Sequence, residues 1–293
     1  MQLALVPLLR VGWSAEFAIL MPQPEEFCPE FTNPPTVETV LGVQFEPLRG
    51  FRSNHYGWFW RDHLKDKGFG SVSDETPLPT YVEEFGVPKL RLTKAADGGE
   101  VVGVRMKTRT ADRGRTVQLQ PDKLYLSWNR LGPEAPRYEN VRGEFEALFA
   151  DLTVFAGGAG LGPVRPNLWE VHYVNQIPPG ELWTDPRDWH RVLPRLFPTT
   201  DPSVPGARFA TYSGEWHFEI EPQRGRVHVR VAKMVMNQSP APTLYFSLLA
   251  RGEVGGAGSL DVLAGLEAGH TACVRLFFDL TSPEAHAEWG LKS

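Results

Sequence analysis

Cysteine is nearly missing from this sequence: of 293 residues only Cys28 and Cys273 carry thiols. A lone pair so far apart makes neither a disulfide framework nor a zinc site, which asks for four ligands in close pairs. A reducing cytoplasm is the expected compartment. No stretch approaches the ~20 apolar residues of a membrane span, so no membrane partner is expected. Charge of one sign is lacking too. The 30 Lys and Arg against 35 Asp and Glu leave a net charge of −5, which marks no polyanion binder at the level of the whole chain. Phosphate-cradling loops of the GxGxxG or GxxxxGK[ST] kind do not occur. Neither do GxSxG, HExxH or CxxC. No catalytic residue and no cofactor is therefore assigned, and the expectation is a protein that works by binding. GGAGLG (Gly157–Gly162) follows a helical pattern rather than a strand and precedes a proline, so it reads as a linker.

Turn formers and large aromatics are plentiful. The 26 prolines and 28 glycines predict many turns, and 17 Phe, 9 Trp and 7 Tyr supply apolar surface for a core. Met1–Leu20 begins apolar, but no basic residue precedes the run, and Pro7 and Arg10 interrupt it, unlike a signal peptide. It reads as an extension, with the ordinary protein starting at Met21. Residues 21–35 hold five prolines and form an extended lead-in.

An internal repeat organises the rest. Thr36–Pro47 alternates apolar residues at Val37, Leu41, Val43 and Phe45, the period of a half-buried strand. His55–Gly68 reads as a helix. Val101–Thr110 and Thr116–Asn129 read as strands around a polar hairpin, and Tyr138–Phe155 as a helix. The order then recurs: a strand at Leu168–Ile177 and a short helix over Asp185–Phe197 with Asp185 as N-cap and Pro186 in its first turn. Strands follow at Gly214–Glu221, Arg226–Val235 and Thr243–Arg251, and a helix over Ser259–Leu280. A shift of 132 residues lays Val37 on Trp169, Leu41 on Tyr173 and Phe45 on Ile177. The fold class expected is α+β, in two similar halves (36–162 and 163–293) after a 1–35 extension and lead-in. Each half is an antiparallel sheet with helices on one face, strand–helix–three strands–helix, like TATA-binding proteins or the helix-grip group. That likeness is one of architecture and carries no function by itself.

PPTVETVLGVQFEPL (Pro34–Leu48), HYGWFW (His55–Trp60), VHYVNQIPPG (Val171–Gly180) and GHTACVRLFFDLTSPEAHAEWG (Gly269–Gly290) together resemble a sporadically distributed bacterial family with no established activity. The resemblance covers nearly all of the chain beyond Met21. A sporadic distribution implies horizontally moved genes, and hence a defence or mobile-element setting with a protein partner.

Three constellations are candidates for binding. Arg105, Lys107 and Arg109 share one face of a strand, and Arg113 and Arg115 follow across the hairpin tip, offset only by Asp112. Such a stripe suits backbone phosphates, which release counterions when neutralised; a solvated face with paired cations is the plainer reading. Glu215, His217, Glu219 and Glu221 face Arg226, His228 and Arg230 across a short turn. A four-residue turn puts Glu221 opposite Arg226, Glu219 opposite His228 and His217 opposite Arg230, a structural ladder. A metal held by His217, Glu219 and His228 is its sharper alternative. A ligand pocket between sheet and helices, lined by Trp58, Trp60, His172, Tyr173, Asn175 and Trp189, is the third. Asn175 falls on the apolar side of its strand, where a buried amide needs partners. His270 reads as a core or capping histidine, and Ser282 as the cap of a last short helix that brings Trp289 back onto the core.

Overall fold

A computed structural model describes residues 29–83, 104–132, 137–200, 203–220, 225–236, 239–255 and 261–292. The readings made for residues 1–28, including Cys28, and for Val101–Gly103 lie outside them.

Among the described residues, nine strands form one mixed-length, fully antiparallel sheet in the order β2-β3-β4-β5-β1-β6-β9-β8-β7. They are β1 (Thr36–Phe45), β2 (Phe69–Glu75), β3 (Arg105–Thr110), β4 (Arg115–Gln120), β5 (Lys123–Asn129), β6 (Pro166–Ile177), β7 (Ser213–Ile220), β8 (Gly225–Met236) and β9 (Ser239–Glu253). The sequence suggests a sheet for each half. The observed sheet is continuous because β1 and β6 pair with each other, Leu41 opposite Val171 and Val43 opposite Trp169. That pairing satisfies the edge hydrogen-bonding groups that two separate sheets would leave open.

Helices α2 (Tyr138–Gly158) and α3 (Val262–Leu280) cover one face. Their apolar residues recur at helical spacing: Val141, Phe145, Leu148 and Leu152 on α2, and Val262, Leu266, Cys273 and Phe277 on α3 are buried. Against them the sheet presents Leu41, Val43, Phe45, Val117, Leu126, Trp169, Val171 and Ala250. Among these, Trp169 sets the height of α3. A Cβ added at Gly269 would stand 2.6 Å from its indole, and one at Gly265 would overlap it. Two glycines one turn apart therefore let the helix lie down on a tryptophan that is fully buried.

The first helix, α1 (Ser53–Phe59), runs on through a π turn (Trp60–Leu64) and a 3₁₀ turn (Lys65–Lys67) to Gly68, whose φ of +89° stops it. Asp185 caps a 3₁₀ segment at Pro186–Arg191, shorter than the helix read over Asp185–Phe197; Pro194, without an N–H, cannot extend it. Below it, Trp183, Trp189, Leu193 and Phe197 join the core. Ser282 caps α4 (Pro283–Glu288), and Trp289 is buried behind it. Asp261, two residues inside the expected start at Ser259, caps α3. Among the described residues no helix is long and apolar enough to cross a membrane.

Candidate functional site

Between the start of α2, helix α3 and the sheet, the helix-covered face holds a cleft of about 1180 Å³, just above the ~300–1,000 Å³ typical of ligand sites. Its floor is the centre of the sheet, with Thr39 on β1, Tyr173 and Asn175 on β6 and Leu248 on β9. One wall is the stripe His270, Cys273, Val274 and Phe277 of α3, spaced to share a helix face. The other is Tyr138 at the start of α2. Phe31 of the lead-in closes one end, held edge-on against Phe277 at 5.6 Å, while Thr32 donates its backbone N–H to the Gly290 carbonyl at 2.9 Å.

Polar groups converge beside these apolar side chains, and the cleft's lining also includes the charged Glu30, Glu38, Arg130, Arg137, Glu139 and Lys292. Tyr173 Oη and His270 Nδ1 share a hydrogen bond of 2.7 Å, and the His270 ring stacks on Tyr138 with centroids 3.7 Å apart. Burial drives the His270 pKa down to about 4, against the pull of Glu139, so the imidazole is neutral at physiological pH. Burial, with Glu267 next in weight, pushes the Tyr138 phenol up. Its hydroxyl is enclosed with no hydrogen-bond partner among the described residues. Asn175, 1% exposed, accepts from Thr36 Oγ1 at 2.8 Å and donates Nδ2 to the Phe246 carbonyl at 3.0 Å. These bonds use one donor and one acceptor of the amide, leaving one of each. The Cys273 thiol is pushed up by burial and is no nucleophile.

Of the six pocket residues expected from sequence, the cleft unites only Tyr173 and Asn175. Trp58 is 45% exposed on α1. Trp60 donates its indole N–H to the Phe69 carbonyl at 2.6 Å and lines a separate groove of about 450 Å³ with Tyr56 and Met106. Trp189 is core, edge-on to Trp183. His172 lies on the other face from Tyr173, as strand alternation requires, and its pKa falls to about 4 through burial and then Arg251. Asn175 finds the partners a buried amide needs on the neighbouring strands β1 and β9. His270, read as core, is a cleft residue; its spacing to Val274 and Phe277 carried that signal but left the side chain's partner open.

The five-cation stripe also divides. Arg105, Lys107 and Arg109 lie on the helix-free face, where burial and the neighbouring Arg109 lower the Lys107 pKa. Arg105 is engaged by Gln118 and by the Thr76 carbonyl. Arg115 turns to the helix face, pairs with Glu144 at 2.8 Å and sits over the Phe69 ring. Arg113 forms the exposed hairpin tip with φ 62°. The turn, not the strand, carries the chain across it.

On β7 and β8 the ladder exists in a different register. Ile220 pairs with Gly225, so Glu219 faces Arg226, His217 faces His228 and Glu215 faces Arg230. Glu219 and Arg226 approach to 3.4 Å and Glu215 and Arg230 to 3.6 Å. The sequence places the turn one residue too late, which swaps every partner. The rings of His217 and His228 meet at 2.9 Å between their Nδ1 atoms, while His228 Nε2 takes Glu83 at 2.6 Å. With Glu219 committed to Arg226, the His217–Glu219–His228 metal alternative has no common centre. Among the described residues no group of three or more His, Cys, Asp or Glu is placed to hold a metal ion.

No family model matches the chain, and no curated protein or solved structure matches it.

Proposed function

We propose that the protein is a non-enzymatic binding module that takes a small, largely apolar ligand with a hydrogen-bonding end in the cleft between the sheet and helices α2 and α3. The observation that carries this reading is the convergence of Tyr173 and Asn175 from the floor and His270 from the wall on a cavity that Phe31, Tyr138, Leu248, Val274 and Phe277 also line, with charged side chains such as Glu38, Arg130 and Glu139 among the rest of its lining. Ligand pockets combine apolar lining with a few convergent polar groups. Because His270 is neutral, the deep end offers hydrogen bonds rather than charge, and favours an uncharged polar group. Nucleic-acid binding draws less support: of the five cations, Arg115 turns to the helix face and pairs with Glu144, and Arg105 is already engaged by Gln118 and the Thr76 carbonyl.

The chain reads further as two similar units, 36–162 and 163–293, on the TATA-binding-protein or helix-grip plan. Supporting this, β1 and β6 meet at the sheet centre, each pairs on its other side with the last strand of its own run (β5 and β9), and a long helix follows each run. On that plan the cleft lies over the seam between the units.

The test uses the neutral fluorophore N-phenyl-1-naphthylamine. Saturable one-site enhancement is expected with the wild-type chain, with a rise in Tm by mass-action linkage. Val274→Trp, which fills the cleft from α3, is expected to abolish it. Enhancement that survives Val274→Trp unchanged would overturn the reading.

A further inference from the structure

The opposite, helix-free face of the sheet is polar, and at its centre it is covered by an extended segment, Thr76–Glu83, that crosses the strands. This segment is held in an unusual way. Gln120 on β4 accepts from the Leu78 backbone N–H at 2.9 Å and donates to the Leu78 carbonyl at 3.0 Å. Three residues on, Gln44 of β1 does the same to Tyr81, at 2.8 and 3.0 Å. Each side-chain amide thus copies the double hydrogen bond that a neighbouring strand would offer. These four bonds depend on the segment's backbone and not on its side chains.

Side chains of the segment are engaged as well: Thr80 donates its hydroxyl to Asp122 at 3.2 Å, and Tyr81 and Glu83 make contacts of their own. The Tyr81 ring lies under the Arg251 guanidinium at 3.9 Å, with Lys123 at 5.8 Å from its centroid. The Glu83 carboxylate, 6% exposed, receives His228 at 2.6 Å and Arg226 at 3.6 Å. The intervening Val82 is 72% exposed. Contacts to alternate side chains combined with backbone hydrogen bonds are the way sheets recognise extended peptides.

Beneath the segment lies charge, not core. Lys123 is fully buried against Asp122 at 2.5 Å, and Glu170 is buried against Arg251 at 2.7 Å. Burial pushes the Glu170 carboxyl up while Arg251 pulls it down. No residue of Thr76–Glu83 belongs to the apolar core. Lifting the segment therefore exposes polar groups to water and costs little apolar burial, so one extended segment can replace another.

We propose that this face is a recognition groove for an extended peptide of a protein partner, bearing an aromatic residue and, two positions later, a carboxylate, and that Leu78–Glu83 is its resident occupant in cis. The groove is separate from the cleft and does not rest on it.

The experiment measures fluorescence anisotropy of a labelled synthetic peptide of sequence TPLPTYVE with the full chain. Tyr81→Ala/Glu83→Gln weakens the resident segment and is expected to bind the peptide at least tenfold tighter than wild type. Replacing the peptide's tyrosine by alanine, or adding Gln44→Ala to the protein, is expected to cost tenfold or more. A folded double variant that binds the peptide no better than its scrambled version overturns the proposal, as does capture of a single-stranded oligonucleotide in preference to the peptide. Should the double variant not fold, hydrogen exchange on the wild type decides. Leu78 and Tyr81 amides that exchange by local opening, well before the β1 and β6 amides, support an exchangeable occupant; exchange only through global unfolding overturns it.

Discussion

Trp169 is gripped by glycines from two elements: Gly265 and Gly269 on α3, and Gly225 on β8, where an added Cβ would stand 2.8 Å from the same ring. Gly269→Ala is expected to lower stability by about 1–3 kcal/mol through overpacking, read as a reduced urea midpoint at unchanged slope. Gly143→Ala, on the exposed side of α2 with open space around its Cα, is expected to raise stability by up to ~1 kcal/mol. The histidines give a pH signature. His270 and His172 titrate near 4 in the folded state, below the ordinary 6.5, so between those values the unfolded chain binds more protons. Stability is therefore complete above pH 6.5 and falls as pH drops toward 4, by an amount on the order of a few kcal/mol. Denaturant melts from pH 7.5 to 4.5 read it, and His270→Gln is expected to flatten part of the slope. A stability profile level over this window would contradict the neutral, buried assignment.

Elements with a strong period were legible in the sequence. The alternation of β1 and the inward stripes of α2 and α3 appear where the pattern places them, because one face of each is buried and the other is not. β2 was not legible: SVSDE carries almost no apolar signal, and its pairing with β3 comes from backbone hydrogen bonds. The Thr76–Glu83 segment was hidden for a related reason, since its hold depends on the distant Gln44 and Gln120. Half the cleft was legible, in Tyr173 and Asn175. Their partners His270 and Tyr138 lie on helices whose angle over the sheet no local pattern encodes. The caps belong to this scale as well. Asp261 accepts the Ala264 N–H at 2.8 Å at the start of α3, and Asp261→Ala is expected to cost about 1 kcal/mol in a thermal or urea melt.

At the scale of the whole molecule, one sheet separates two unlike faces. The first carries the helices, the core and a cleft with neutral polar groups; the second carries buried ion pairs and a crossing segment. The proposed reading gives the molecule two contact sites, the cleft on the first face and the groove on the second. The claim at the centre is that the cleft takes an uncharged, mostly apolar ligand, and chemical-shift mapping of the ¹⁵N-labelled chain with N-phenyl-1-naphthylamine tests it most directly. The amides of Tyr138, Tyr173, Asn175, His270 and Val274 are expected to move together and saturably, while those of Glu170, His228 and Arg251 stay in place. Shifts confined to the helix-free face, or none at saturating probe, would contradict it.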